Sequence, residues 1–151
     1  MISKKILLVG GCGFIGHNLA LLLKKKSHEV SVVDSFSVNN ILSFTDSEII
    51  NKKLYSSILN NRIDLINDEK INLIVQDARN HNSVSKIYER INPDIIVHLA
   101  AVSHANKSNK DPHNTFDHSL RTLENTLDFA KTKKTHVIYI SSSMVYGNFE
   151  T

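Results

Sequence analysis

Cysteine, proline, glycine and long apolar runs are all scarce in this chain of 151 residues. The single cysteine, Cys12, excludes an intramolecular disulfide framework. No apolar stretch approaches the roughly 18 residues that a membrane-spanning helix needs. The N-terminal Met-Ile-Ser-Lys-Lys leads directly into an apolar run, so no signal peptide is predicted either. Together these absences predict a protein of the reducing cytoplasm.

Charge is modest as well, with a formal net charge of +3 and 22% charged residues beside 41% hydrophobic ones. This balance is typical of one ordinary domain with a hydrophobic core. Lysine clusters at 24–26 and 131–134 fall at the ends of predicted helices, where cations favour the helix dipole, so no nucleic-acid-binding face is predicted. The histidine spacings, such as His98, His104 and His113, fit no compact ligand set, so no metal site is predicted.

Glycine, although rare, is concentrated, because four of the five glycines lie within residues 10–16. An apolar run ends at this cluster and a helical pattern begins at once, which predicts a strand, a tight turn and a helix. The spacing satisfies two overlapping motifs, Gly11-x-Gly13-x-x-Gly16 and Gly10-x-x-Gly13-x-x-Gly16, and both are typical of a dinucleotide-binding turn. The early glycines permit unusual torsions, Gly13 lets a pyrophosphate approach the main chain, and Gly16 lets the helix pack closely. The N–H groups at the start of the helix then face the phosphates.

A carboxylate stands at the end of the second predicted strand, where Asp34 follows Glu29 to Val33. At this position it can accept both hydroxyls of an adenosine ribose and would repel a 2′-phosphate, which favours NAD over NADP. Cys12 lies inside the glycine turn, where a helix N-terminus can lower a thiol pKa. No base is paired with it in the sequence, so we predict a small packing residue.

Five strands alternate with helices along the chain. We predict strands near residues 4–9, 29–33, 72–76, 95–99 and 136–140, and helices near 14–26, 83–91 and from Asp111-Pro112 onward. Residues 102–110 are predicted as a polar loop. Right-handed crossovers then give a doubly wound, Rossmann-like parallel sheet in the order 3-2-1-4-5, with helices on both faces. Its ligand is expected across the carboxyl ends of strands 1 and 4.

The segment from Ser47 to Ile66 also has a helical pattern, as one long helix or two short ones, with Asp46 or Ser47 as its cap. It is predicted either to pack on the sheet or, as an insertion beside the site, to touch substrate or a partner subunit. The residues that recur at helical spacing in this segment are Ile50, Leu54, Ile58, Arg62 and Leu65. The predicted packing sides of the other helices are Ile15, Leu19, Leu22 and Leu23 in the first, Val84, Ile87, Tyr88 and Ile91 in the third, and Phe116, Leu120, Leu123, Leu127 and Ala130 in the last.

Short motifs at the ends of the predicted strands make the chain resemble a known family. They are Gly10-Gly11-Cys12-Gly13-Phe14-Ile15-Gly16, Asp34-Ser35-Phe36-Ser37, Asp77-Ala78-Arg79, His98-Leu99-Ala100-Ala101 and Ser141-Ser142-Ser143-Met144-Val145-Tyr146-Gly147. In this order they resemble the extended short-chain dehydrogenase/reductases, specifically the NAD-dependent nucleotide-sugar epimerase/dehydratase group. The resemblance covers essentially the whole chain.

The resemblance implies a cofactor, a substrate and a set of site residues. The cofactor is NAD, the substrate a nucleotide sugar, and the full-length protein a possible homodimer. The pyrophosphate would be held by Gly10, Gly13, Phe14, Ile15 and Gly16, the adenosine ribose by Asp34 and the adenine by Asp77 and Ala78. Leu99, Ala100 and Ala101 would line the path to the nicotinamide ribose, and Ser142 would be the catalytic residue that hydrogen-bonds the reacting sugar hydroxyl.

The chain also departs from the family pattern. It holds no Tyr-x-x-x-Lys motif, which in the family follows further along, and no C-terminal sugar-binding portion. We therefore interpret residues 1–151 as the NAD-binding Rossmann domain of a longer enzyme, or as a truncated product, inactive alone. Ser143 and Met144 occupy the places where dehydratases carry an Asp-Glu pair, which favours epimerisation or reduction, and Ser119 stands where many members have Asn. The alternative is a non-catalytic or redox-sensing NAD-binding module.

Overall fold

The computed structural model of the chain describes residues 2–38, 40–44, 51–102, 105–142 and 146–147. Five strands form one sheet in the order β3-β2-β1-β4-β5, and each strand is parallel to its neighbours. This confirms the predicted fold class and strand order. The strands are β1 (Lys5–Val9), β2 (Glu29–Asp34), β3 (Asn72–Val75), β4 (Ile95–His98) and β5 (His136–Tyr139).

The helices connect these strands in the predicted sequence. They are α1 (Phe14–Lys25), a 3-10 turn (Ile41–Phe44), α2 (Lys52–Asp68), α3 (His81–Ile91), α4 (Ala105–Lys110), α5 (Pro112–Phe116) and α6 (Thr122–Lys133). A π-helical segment, Asp117–Arg121, joins α5 to α6. The predicted polar loop over 102–110 is wrong where α4 forms. Its sequence, ANKSNK, has no apolar period that would have indicated a helix.

Two hydrophobic clusters lie on opposite faces of the sheet, since successive side chains of a strand point to opposite sides. One face packs Ile6 and Leu8 of β1 against Ala20 of α1 and Ile66 of α2. The other packs Leu7 and Val9 against α3 and α6 through Val84, Tyr88 and Phe129. Helices therefore cover both faces, as the doubly wound architecture requires.

The buried sides of three helices differ from the prediction. In α2 the buried residues are Leu59 and Ile66, whereas Leu54, Ile58 and Leu65 are exposed. The helix has apolar residues on two sides, and it packs against α1 and β3 with the side that carries Leu59 and Ile66. In α1, Leu19 and Leu23 pack on the core, but Ile15 and Leu22 are exposed. Ile50 and the predicted caps Asp46 and Ser47 lie outside the described residues. The predicted side of α3 is confirmed.

The helix that follows β4 is the clearest exception. The predicted apolar row is largely exposed at Phe116, Leu120 and Leu127, although its last member, Ala130, is buried as predicted. The other buried residues of α6 are Thr122, Asn125, Thr126 and Phe129. The buried side of α6 is the one that packs against α3, β4 and β5. The polar members of the buried side are accommodated because each finds a hydrogen-bond partner in the core.

Candidate cofactor site

The turn after β1 is built on contacts that only glycine allows. Gly10 has a φ of +77°, and a Cβ on it would lie 2.7 Å from the backbone nitrogen of Ala100. Its own N–H donates to the carbonyl of Val33 at 2.8 Å. The turn is therefore held between the ends of β2 and β4, at the edge where the sequence predicted the ligand.

Of the other three motif glycines, two are tightly packed and one is open. A Cβ on Gly11 would lie 2.8 Å from Cγ1 of Val32. A Cβ on Gly16 would lie 2.5 Å from the Cα of Gly11, so α1 sits directly on the turn. Gly13 begins α1 with φ −70° and ψ 179°, and a Cβ there would meet only the carbonyl oxygen of Gly10, at 3.6 Å. Among the described residues, no side chain caps this helix and no acid occupies its first turn. The positive end of α1 is thus available to an anionic group beside Gly13.

Asp34 is tied to the same turn. Its Oδ2 accepts a hydrogen bond from the backbone N–H of Cys12 at 2.8 Å, and its Oδ1 accepts one from the N–H of Phe36 at 2.8 Å. Burial raises the pKa of the Asp34 carboxyl, although both backbone hydrogen bonds oppose that shift. Each oxygen of a carboxylate can accept a further donor. Asp34 can therefore hold the turn and still accept hydroxyl groups at the end of β2.

Asn40 is a residue of this site that the sequence did not indicate. It is buried, and its Nδ2 donates to the carbonyl of Cys12 at 3.4 Å. Both backbone groups of Cys12 are therefore bonded, its N–H to Asp34 and its carbonyl to Asn40. No local pattern marks such an asparagine in a loop. Cys12 itself is buried, and burial and the charge of Asp34 raise the pKa of its thiol. This confirms a packing role for Cys12 rather than a reactive thiolate.

The turn after β3 carries Asp77 and Ala78. The Asp77 carboxylate accepts from the guanidinium of Arg79, which lowers the pKa of Asp77, while Ala78 is buried. Asn125 of α6 donates to the Ala78 carbonyl at 2.8 Å. A side chain of α6 therefore also holds the backbone of this turn.

The end of β4 lies against the glycine turn. The N–H of Leu99 donates to the carbonyl of Val9 at 2.8 Å, and Ala100 packs on Gly10, while Ala101 is exposed. The N–H of Val102 donates to the Oγ of Ser119 at 3.2 Å. The serine thus makes a contact between the helix and the β4 loop.

His98 is the last residue of β4, and its side chain is buried. Its ring nitrogens lie 3.1 Å from the Oγ1 of Thr126 and 3.3 Å from the Oγ1 of Thr122, and Thr126 also contacts the hydroxyl of Tyr88 at 3.1 Å. Burial lowers the pKa of His98 to about 4, so the imidazole is neutral at physiological pH. This network fastens the last residue of β4 to α6 and α3.

Ser142 is exposed and follows β5, which pairs with β4 in parallel register, His98 opposite Tyr139. It therefore belongs to the same edge as the other predicted site residues, at the end opposite Asp77. Direct contacts link the glycine turn to Asp34 and to Ala100. Asp77 and Ser142 follow the two outer strands, β3 and β5, at the two ends of this sheet edge. Residues 143–145 lie outside the described residues.

This sheet order, with a glycine turn at its switch point and an acid at the end of the neighbouring strand β2, defines a Rossmann-type α/β domain. The chain belongs to the NAD dependent epimerase/dehydratase family, whose pattern matches residues 6–151. The family is the one that the motifs resembled, and its cofactor is the predicted NAD.

Similar proteins include enzymes of both kinds that the family is named for. A bifunctional UDP-glucose 4-epimerase and UDP-xylose 4-epimerase of Pisum sativum is 26% identical over 98% of this chain and 39% of its own length. A dTDP-D-glucose 4,6-dehydratase of Dictyostelium discoideum is 27% identical over 96% of this chain and 30% of its own. A UDP-glucose-4-epimerase of Stenotrophomonas maltophila, solved with bound NAD and formylated UDP-arabinopyranose, shares the fold with a TM-score of 0.75 and 23% identity, over 99% of this chain and 40% of that one.

This chain spans about two fifths of the length of the first relatives that it matches. In the part of the chain that the structure describes, no helix combines the length and the apolar character needed to cross a membrane.

Proposed function

We propose that these residues are the NAD-binding part of an NAD-dependent nucleotide-sugar enzyme of the epimerase type. The observation that carries the proposal is the direct link between the open glycine turn and Asp34, whose Oδ2 accepts from the Cys12 N–H at 2.8 Å. A dinucleotide presents a diphosphate and a ribose diol side by side, and this arrangement offers a helix N-terminus and a carboxylate side by side.

The residues present fit the cofactor in each of its parts. Gly13 leaves its side of the turn open, so the N–H groups of Phe14 and Ile15 are available to the pyrophosphate. Gly10 and Gly16 contribute through the shape of the turn, since the Gly10 N–H donates to Val33 and Gly16 packs on Gly11. Asp34 accepts from the adenosine ribose. In the same proposal Asp77 and Ala78 lie against adenine, and Leu99, Ala100 and Ala101 line the path to the nicotinamide ribose.

The reaction that we propose is epimerisation, or reduction, at a sugar carbon that bears a hydroxyl. Bound NAD supplies a hydride acceptor that can also return the hydride. Ser142 is exposed beyond β5, and its Oγ would orient the reacting hydroxyl by a hydrogen bond. Ser143 and Met144 offer no acid pair for 4,6-dehydration. We further propose that these 151 residues alone do not turn over substrate, because they hold no Tyr-x-x-x-Lys base.

The nucleotide sugar as substrate is supported by the relatives, since the pea enzyme is named for UDP-glucose and UDP-xylose and the Dictyostelium enzyme for a dTDP-sugar. We propose a cytoplasmic location, because the sequence has a single cysteine and no apolar run of membrane-spanning length.

The surface at β5 supports the proposal that residues 1–151 are one domain of a longer enzyme. Ile138, Tyr139 and Ile140 are each more than two fifths exposed, although the strand lies at one edge of a parallel sheet. Strands of parallel sheets are normally covered on both faces, and an exposed apolar edge invites association. We therefore propose that further chain of the whole protein covers β5.

We also propose that the whole protein forms a homodimer through the exposed side of the last helix. Leu120, Leu123 and Leu127 form an apolar stripe along the outer side of the helix, and Glu124, Asp128 and Lys131 lie beside it. A face that carries apolar residues flanked by both signs of charge is self-complementary under a twofold axis, which is the commonest symmetry of soluble oligomers.

The proposed function is tested by titrating the 151-residue chain with NAD and NADP in a calorimeter. We expect NAD to bind in preference to NADP, and Asp34→Ala to weaken NAD binding about tenfold through the loss of charge-assisted hydrogen bonds. Asp94→Ala is the matched control. Its Oδ2 also accepts a backbone N–H, that of Lys5 at 2.8 Å, but at the amino-terminal edge of the sheet, so NAD affinity should not change. Unaltered NAD binding in Asp34→Ala would remove Asp34 from the site.

A further inference from the structure

The turn after β3 places an arginine between two carboxylates. The Nε of Arg79 lies 3.1 Å and 3.0 Å from the two oxygens of Asp77, and its Nη2 lies 2.6 Å from Oδ2. On its other side, Nη1 donates to Oδ2 of Asp117 at 2.9 Å. The guanidinium therefore joins the end of β3 to the π-helical segment.

This is a more ordered arrangement than a typical surface ion pair. All three side chains are about one third exposed, and the backbone N–H of Arg79 also donates to Oδ1 of Asp77, at 2.9 Å. Two donors of a rigid planar fork meet one carboxylate, which fixes the plane of that carboxylate as well as its position. The hydrogen bonds from Arg79 are also the main cause of the lowered pKa of Asp77, so the carboxylate is ionised.

The π-helical segment that carries Asp117 also contacts the loop after β4. Asp117 belongs to the π-helical segment, and so does Ser119, which accepts from Val102 beyond β4. One helical turn later, the buried Asn125 donates to the carbonyls of Ala78 and Arg79 at 2.8 and 3.1 Å. The Asp77 turn is thus held against this helix by a side-chain bridge and by a backbone bridge.

We propose that Arg79 is a positioning residue that sets the Asp77 carboxylate to accept from the exocyclic amino group of adenine, with Asp117 as its anchor. The proposal rests on the proposed function, because it takes the base to lie at Asp77. An ionised carboxylate can only accept hydrogen bonds. At its six position adenine carries an amino donor, whereas hypoxanthine carries an oxygen acceptor. A carboxylate with fixed oxygens should therefore select adenine.

The experiment compares NAD with nicotinamide hypoxanthine dinucleotide on the 151-residue chain by calorimetry. For the wild type we expect a preference for NAD of about tenfold or more, the size of one hydrogen bond to a charged group. Arg79→Lys retains the charge but loses the fork, so the preference should fall to about twofold. Asp117→Asn should lower the preference less. Arg121→Lys is the control, because Arg121 contacts Asp117 and Glu124 but not Asp77, and it should keep the full preference.

The ratio of the two affinities separates positioning from mere structural support. An Arg79→Lys chain that binds both dinucleotides more weakly, but with the wild-type ratio, overturns the proposal. So does a wild type that binds both equally well, an outcome that leaves NAD binding itself intact. A wild type that binds neither overturns the proposed function and this inference with it. Where thermal melting shows that Arg79→Lys does not fold, Asp117→Asn decides by the same criterion.

Discussion

Gly13 offers the sharpest separation of folding from binding in this protein. It is the open member of the glycine turn, with φ −70° and ψ 179°, a conformation that alanine adopts without strain. The Cβ of an alanine would meet only the Gly10 carbonyl oxygen, at an ordinary contact distance of 3.6 Å. Gly13→Ala should therefore fold like the wild type and place a methyl group where the pyrophosphate is proposed to approach.

The expected magnitudes follow from this geometry. Alanine is a poorer residue than glycine at the start of a helix, but it also restricts the unfolded chain, so the free energy of unfolding should change by less than about 1 kcal/mol. If the methyl group displaces the phosphates from two N–H groups of α1, the loss is about 3 kcal/mol of charge-assisted hydrogen bonding. That loss corresponds to roughly a hundredfold weaker NAD binding.

Calorimetric titration with NAD and thermal melting of the same samples provide the assay. Gly16→Ala is the contrasting variant, because its Cβ would lie 2.5 Å from Gly11 backbone atoms and should lower the free energy of unfolding by about 3 kcal/mol. Gly13→Ala with wild-type affinity would refute the pyrophosphate position. A large loss of stability in Gly13→Ala would refute the claim that this side of the turn is open.

Two further predictions concern the buried network and the exposed helix. Neutral His98, with its pKa lowered from 6.5 to about 4, contributes stability that is present above pH 6.5 and is lost as pH falls towards 4. Denaturant unfolding should therefore show a loss of about 2 kcal/mol between pH 7 and pH 5, and His98→Gln should reduce that slope. Leu127→Glu should shift sedimentation from dimer to monomer if the apolar stripe of α6 pairs two copies.

A different result would contradict each of these two predictions. An equal pH slope in His98→Gln would show that other groups, and not His98, dominate the acid response. A sedimentation coefficient that Leu127→Glu does not change would exclude this face from any self-association. Thr132→Glu, on the same helix but outside the stripe, is the control, because it adds the same single negative charge as Leu127→Glu.

Much of the fold could be predicted because parallel strands carry their own signal. A strand that is covered on both faces is mostly apolar, so β1, β2 and β4 are visible as short runs that are rich in apolar residues. The glycine spacing then located the turn, and the strand order followed from the handedness of the crossovers. The positions of Asp34 and Asp77 at strand ends placed them at one edge without any knowledge of contacts.

The helix faces could not be predicted in the same way. A helix such as α2 offers apolar residues on more than one side, and the neighbouring helix selects which of them is buried. In α6 the buried side includes Thr122, Asn125 and Thr126, which are acceptable in a core only because His98, Tyr88 and the Ala78 carbonyl satisfy them. The spacing of apolar residues does not indicate which polar side chains will find hydrogen-bond partners in the core.

The sequence by itself determined the class of fold, the glycine turn and the acid at the end of β2, because each depends on residue types at short, regular spacing. Only the tertiary structure decided how those parts are held. The hydrogen bonds of Cys12 to Asp34 and to Asn40, and the ion pair of Arg79 with Asp117, each join residues that lie far apart along the chain. Such contacts depend on how the helices pack on the sheet, and local sequence does not encode that packing.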